Sequence, residues 1–170
     1  EGFVIEATPD LAMVKSEQFG TGDNTDGHES GVVSPQDIII YNKNNCDYKL
    51  VVGSTNYPIA DLSDYTGVKT DTDGKTTDSF MHYIPLRGSE CVATFSNEFG
   101  MSGSNTMLRS ATQLDSGELY VAGNTTSKTW VGYSWTGSNT IANTIIGVMD
   151  NSLTISDEAK WVDTNWVYLT

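Results

Sequence analysis

Apolar and polar residues alternate with a period of two in segment after segment of this chain, and clusters of Gly, Asn, Asp, Ser and Thr cut each segment short. A period of two belongs to a strand, whose successive side chains point to opposite faces; a helix repeats every 3.6 residues. The pattern, enriched in β-branched and aromatic residues, predicts strands at 2–7, 10–15, 37–42, 47–52, 80–85, 90–95, 117–122, 128–135, 141–149 and 160–168. The single helical signal is Ser156 followed by acids in "SDEAKW", and it is one turn long.

The interruptions supply turn chemistry. In "IIIYNKNNCDYKLVV" the Asn-rich centre separates two apolar runs, since Asn tolerates positive φ and bonds its own backbone. In "HYIPLRGSECVATF" Pro85 cannot donate to a ladder and Gly88 frees the backbone, so this stretch predicts a second hairpin. "AGNTTSK" predicts a third turn. The fold class that follows is all-β, an antiparallel β-sandwich with jelly-roll-like or Ig-like topology. A chain of 170 residues suits one domain. The glycine-rich stretch after residue 19 sets off 1–19 as an N-terminal arm or first strands, with 20–170 as a single sandwich domain. The start at Glu1, with no methionine or leader-like apolar run, reads as a processed or trimmed end.

Charge narrows the partners. A net charge of -13 would repel a polyanion, which argues against direct nucleic-acid binding. The longest apolar run, "IIGVM" at 145–149, is far short of a membrane span.

No catalytic constellation emerges. His28 sits in a glycine-acid loop and His82 within a strand, neither in a metal-binding spacing. "GDNTDG" and "DTDGKTTD" resemble calcium loops, but Lys69 and Phe80, or Gly22 and Val33, fall where the first and twelfth ligands belong. No cofactor or metal is therefore expected. Glu90, Glu98 and Glu118 could serve glycosidase chemistry only if separation and burial paired them. Cys46 and Cys91 each adjoin a predicted strand, which admits a disulfide or two buried thiols. Trp130, Tyr133, Trp135, Trp161 and Trp166 crowd the last third; on one continuous strand Tyr133 and Trp135 share a face, with Trp130 on the other. Such a stripe packs a core or subunit interface, or offers a sugar-stacking platform. Asn124 in "NTT" matches the glycosylation acceptor pattern.

Taken in order, "IIIYNKNNCDYKLVVG", "YIPLRGSECVATF" and "GELYVAGNTTSKTWVGYSW" resemble the plan of small β-sandwich virion proteins of tailed phages: accessory capsid, collar or tail domains. The resemblance covers roughly residues 37–136. Ser89 intrudes between the glycine and the glutamate of the second motif, and the third has a longer turn than the family plan. It implies a non-catalytic virion protein whose partners are copies of itself and other subunits. The alternatives from the residues are a secreted filament or pilus subunit that exchanges its N-terminal strand, or a carbohydrate-binding module built on the C-terminal tryptophans.

Overall fold

The computed structural model describes residues 2–19, 32–43, 45–56, 76–86, 95–99, 103–126, 129–130, 133–134, 143–149 and 165–169. Among these residues there is no helix, and every strand pairing is antiparallel. Strands β3 (Val33–Lys43), β4 (Cys46–Thr55), β5 (Asp78–Pro85) and β6 (Phe95–Phe99) form a front sheet in the order β3-β4-β5-β6. Strands β7 (Thr106–Gln113), β8 (Leu119–Thr125), β11 (Asn143–Met149) and β12 (Asn165–Leu169) form a back sheet in the order β12-β11-β8-β7. Two hairpins stand apart, β1 (Gly2–Ala7) with β2 (Met13–Phe19), and β9 (Thr129–Trp130) with β10 (Tyr133–Ser134). The front sheet is thus a meander of successive strands, and the back sheet also keeps chain order, with the β9–β10 hairpin interposed between its neighbours β8 and β11, a simpler order than the crossed connections of a jelly roll or an Ig domain.

The two sheets meet face to face. Tyr41, Tyr48, Leu50, Val52, Met81 and Tyr83 from the front sheet pack with Leu108, Ala111, Leu119, Val121 and Ile145 from the back sheet. Tyr83 is the hub of the aromatic packing, with ring edges toward Tyr41 (centroids 6.1 Å apart) and Tyr48 (6.4 Å). Each fully buried large side chain contributes about 1.5–3 kcal/mol relative to exposure.

The front sheet's other face is also sheltered. Val51, Phe80 and Ile84 form a second cluster there with Val33 and with Val4 of β1. Burial on both faces explains why β4 from Tyr48 to Thr55 and β5 from Asp78 to Ile84 are buried residue after residue.

Both sheets use the same device at one edge. A bulge in β3 between Pro35 and Asp37 lies opposite Gly53, and a bulge in β7 between Leu108 and Ser110 lies opposite Gly123. A Cβ at Gly53 would stand 2.2 Å from the Ser34 carbonyl oxygen, and one at Gly123 would stand 2.2 Å from that of Met107. The glycines let the bulged backbones approach.

Several sequence expectations shift. The β3–β4 reversal is at the Asn-rich turn, with Asn45 at φ +62°. Strand β2 starts at Met13, later than expected. The Thr8 hydroxyl donates to the Asp10 carboxylate, which together with a backbone bond holds the Asp10 carboxyl below its ordinary pKa; Leu11 turns back at φ +66°, donating to the Thr8 carbonyl. Of the second expected hairpin, residues 87–94 lie outside the described residues; β5 pairs with β6 from Tyr83 opposite Phe95 to Ser79 opposite Phe99, so the second strand reaches beyond its expected end at 95. Strand β7 is additional: its bulge and its exposed Arg109 and Ser110 break the alternation that would have revealed it. The "AGNTTSK" turn is corrected as well, because β8 runs through Ala122 to Thr125. The "SDEAKW" turn lies outside the described residues.

Candidate functional site

Three regions hold polar groups or exposed apolar surface that could serve a function. The first is the end of the sandwich where β5 and β7 begin and β8 finishes. Asn105 Oδ1 accepts from the Thr77 amide (3.0 Å), the Thr106 amide donates to the Thr77 carbonyl (2.7 Å), and Asn105 exchanges bonds with Thr126. The Thr106 and Thr125 hydroxyls are buried 3.2 Å apart. This network ties the front sheet to the back sheet. Its bonds join threonine and asparagine groups to one another and to the backbone, and so brace the fold.

The second region is the cleft between the β3–β4 and β7–β8 turns, about 710 Å³, lined by Asn42, Asn45, Thr112, Gln113 and Asp115 among others. Among the described residues that line it, Asp115 is the one carboxylate. Beside it the edges of β3 and β7 clasp one another. Gln113 Nε2 donates to the Asn42 carbonyl (2.7 Å) while its Oε1 accepts from the Asn42 amide (2.8 Å), occupying β3 as a partner strand would. Asp37 Oδ2 accepts from the Ala111 amide of β7 (2.9 Å), and Arg109 donates to Gln36 Oε1 (2.8 Å). Side chains thereby take up backbone groups that an open edge offers to other chains. Asp37→Ala is expected to cost about 1–2 kcal/mol and to raise self-association through the freed edges, since a charge-assisted bond to a partly buried amide is lost; urea denaturation and sizing chromatography of the variant measure both.

The third region is the N-terminal hairpin on the outer face of the front sheet. Val4 is 8% exposed and enters the outer cluster, while Glu6 Oε2 meets Lys49 Nζ at 3.2 Å. Other apolar side chains of the hairpin stay in water: Phe3 is 69% exposed, Ile5 53%, Met13 66% and Leu11 86%. Ile38 and Ile40 of β3 are exposed too. Phe3, Val4 and Ile5 share a groove of about 380 Å³ with Pro35, Gln36, Asp37, Ile38 and Val51. The exposure of Phe3, Ile5 and Ile38 is thus gathered around one groove rather than scattered.

The residues singled out from the sequence fall elsewhere. Cys46 is disulfide-bonded; Cys91 lies outside the described residues. Trp130 and Tyr133 are not on one continuous strand: they are cross-strand partners in the β9–β10 hairpin, separated in sequence by Val131 and by Gly132, a residue that favours reversal. Trp166 lies in β12 opposite Gly147. Trp135 and Trp161 lie outside the described residues, as do His28, Glu90 and the acidic stretches at 20–31 and 64–75. Asn124 is half-buried inside β8, between Met107 and Thr144, not in a turn. His82 faces the outer cluster, 2% exposed, and burial pushes its pKa down to about 4. Among the described residues no group of three or more His, Cys, Asp and Glu is placed to hold a metal ion, and no helix is long and apolar enough to cross a membrane.

Comparison of the chain with protein-family models, with curated proteins and with solved structures found no match.

Proposed function

We propose that this chain is a non-catalytic structural subunit that works by associating with copies of itself, as a capsid-decoration, collar or tail component of a virion. The observation that carries the association is the exposed apolar surface shared by β1 and β3, where Phe3, Ile5 and Ile38 border one groove. The virion setting is supported by the resemblance of the three strand-and-turn motifs to phage accessory proteins. The clasp between β3 and β7 favours face contact over strand addition on that side of the sandwich.

Sizing of the purified chain at rising concentration is expected to show multimers, and electron microscopy to show them ordered or bound to particles. A doubly substituted chain, Phe3→Asp with Ile38→Asp, changes two exposed side chains and is expected to keep its stability within about 0.5 kcal/mol. Association should weaken by about tenfold or more, as charge enters an apolar contact. A wild-type chain that stays monomeric at high concentration and ignores particles removes the reading.

A further inference from the structure

We infer that the N-terminal hairpin is released by acid: protonation of His82, on the front-sheet face beneath it, unseats the hairpin while the two sheets stay packed.

The hairpin is built as a separable part. It forms a two-stranded sheet of its own, with no ladder joining it to the front sheet. Side chains seat it instead: Val4 enters the outer cluster, and Glu6 Oε2 meets Lys49 Nζ at 3.2 Å. A lone two-stranded hairpin is marginal in water, so its own ladder depends on that seat.

His82 stands at the seat. Its cross-strand partner Val51 and its neighbours two positions away, Phe80 and Ile84, make up the cluster with Val33 and Val4. Val51 also lines the groove with Phe3, Val4 and Ile5, and Ile84 is in register with Lys49, the residue that Glu6 holds. Among the described residues the hairpin is the element that lies over this face. Beneath it the imidazole is 2% exposed and kept neutral, since burial lowers its pKa to about 4.

Lifting the hairpin lets water reach the ring and returns it toward its ordinary value of 6.5. The seated form then refuses a proton that the open form accepts, so seating is unaffected above 6.5 and weakens as pH falls below it. By pH 5 the ratio of open to seated molecules rises about 30-fold. The other charged groups placed toward this face are Lys49 of β4, Asp78 of β5, Glu98 of β6 in register opposite Phe80, and, from the hairpin, Glu6 with its partner Lys15 and Glu17 in register opposite Val4. Lys49 opposes a second cation at the seat, which adds to the drive for release once His82 is protonated.

Hydrogen exchange of the full chain, wild type beside His82→Gln, reads the opening of β1 and β2 amide by amide. Dividing the two rates at each pH cancels the chemistry of exchange and the titration of the acids, which both proteins share. For the β1–β2 ladder the ratio of wild type to variant is expected to rise about 30-fold from pH 7.5 to pH 5, in amides that open more readily than those of β4 and β8. A level ratio overturns the inference, and so do hairpin amides that open only together with β4 and β8. Val4→Ala supplies a second reading should the glutamine variant fail to fold. Truncating the seat is expected to speed exchange of the hairpin about tenfold and, by reciprocity, to move the His82 pKa upward from about 4, read from the imidazole proton resonances. The absence of either effect overturns the inference.

Discussion

Replacing Tyr83 with alanine is expected to remove about 3–5 kcal/mol of folding stability. Tyr83 is fully buried on β5, which is bonded to β4 on one side and β6 on the other. Its ring meets Tyr41 at an interplanar angle of 61° and Tyr48 at 85°, so one truncation ends two edge-to-face contacts and leaves a ring-sized void between the sheets. Held between two bonded neighbours, β5 has little freedom to collapse into that void. Domains of this kind have about 5–15 kcal/mol in total, so the variant should sit near the edge of folding. Tyr83→Phe keeps the ring and should retain most of the stability; Ile38→Ala, on an exposed side chain, should stay within about 0.5 kcal/mol of the wild type. Urea denaturation of the three variants measures the ranking, and a Tyr83→Ala loss below about 1 kcal/mol would show that the tyrosines do not organise this core.

Much of the fold is legible in the alternation, because a strand covered on one face must alternate. "DYKLVVG" and "SFMHYIP" are legible as strands; what their sequences do not show is that they are covered on both faces, by the back sheet on one and by the outer cluster with Val4 on the other. Strand β7 escaped altogether. It is an edge strand whose bulge shifts the register between Leu108 and Ser110, and a single shift destroys a period of two. The candidate surface escaped as well. Phe3 and Ile5 read as ordinary strand residues, and nothing local says that Val4 alone turns inward, since that depends on where the hairpin docks. Lys49 and Glu6 are 43 positions apart, so their pairing is a tertiary fact. The aromatic residues of the last third drew attention by density, whereas the described core is organised by tyrosines from the middle of the chain.

Edge protection and face exposure are complementary features of this molecule. Gln113 and Asp37 occupy backbone groups on β3 and β7, respectively, that would otherwise recruit strands without regard to sequence, which limits unspecific pairing. The apolar surface that stays open is made of side chains, and side-chain contact is selective in a way that backbone pairing is not. An acidic surface adds a general repulsion between copies. Association through the hairpin face is then the route that these three features leave least opposed.

The remaining large effect is a pH dependence that His82 imposes. Its ring shares the outer face with Phe80 and Ile84, opposite Val51; among the described side chains the charged groups of that face are Lys49, the buried Asp78 at the start of β5 and, from the hairpin, Glu6 with its cross-strand partner Lys15, while Glu98 of β6 stands in register opposite Phe80. Burial lowers its pKa to about 4 from an ordinary value of 6.5. Between those two values the unfolded chain binds a proton that the folded chain refuses, so stability rises with pH across the window and falls as the solution is acidified through it. The contribution is fully present above 6.5, and by pH 4 about 3 kcal/mol of it is gone. Carboxylates titrate over part of the same range, so the comparison is with His82→Gln, which carries no titrating ring and leaves every acid in place. Denaturation midpoints of both proteins from pH 7.5 to 4 should converge by about 3 kcal/mol as pH falls. Parallel curves would mean that the imidazole is protonated as readily in the folded chain as in the unfolded one, and that the face beneath the hairpin admits water.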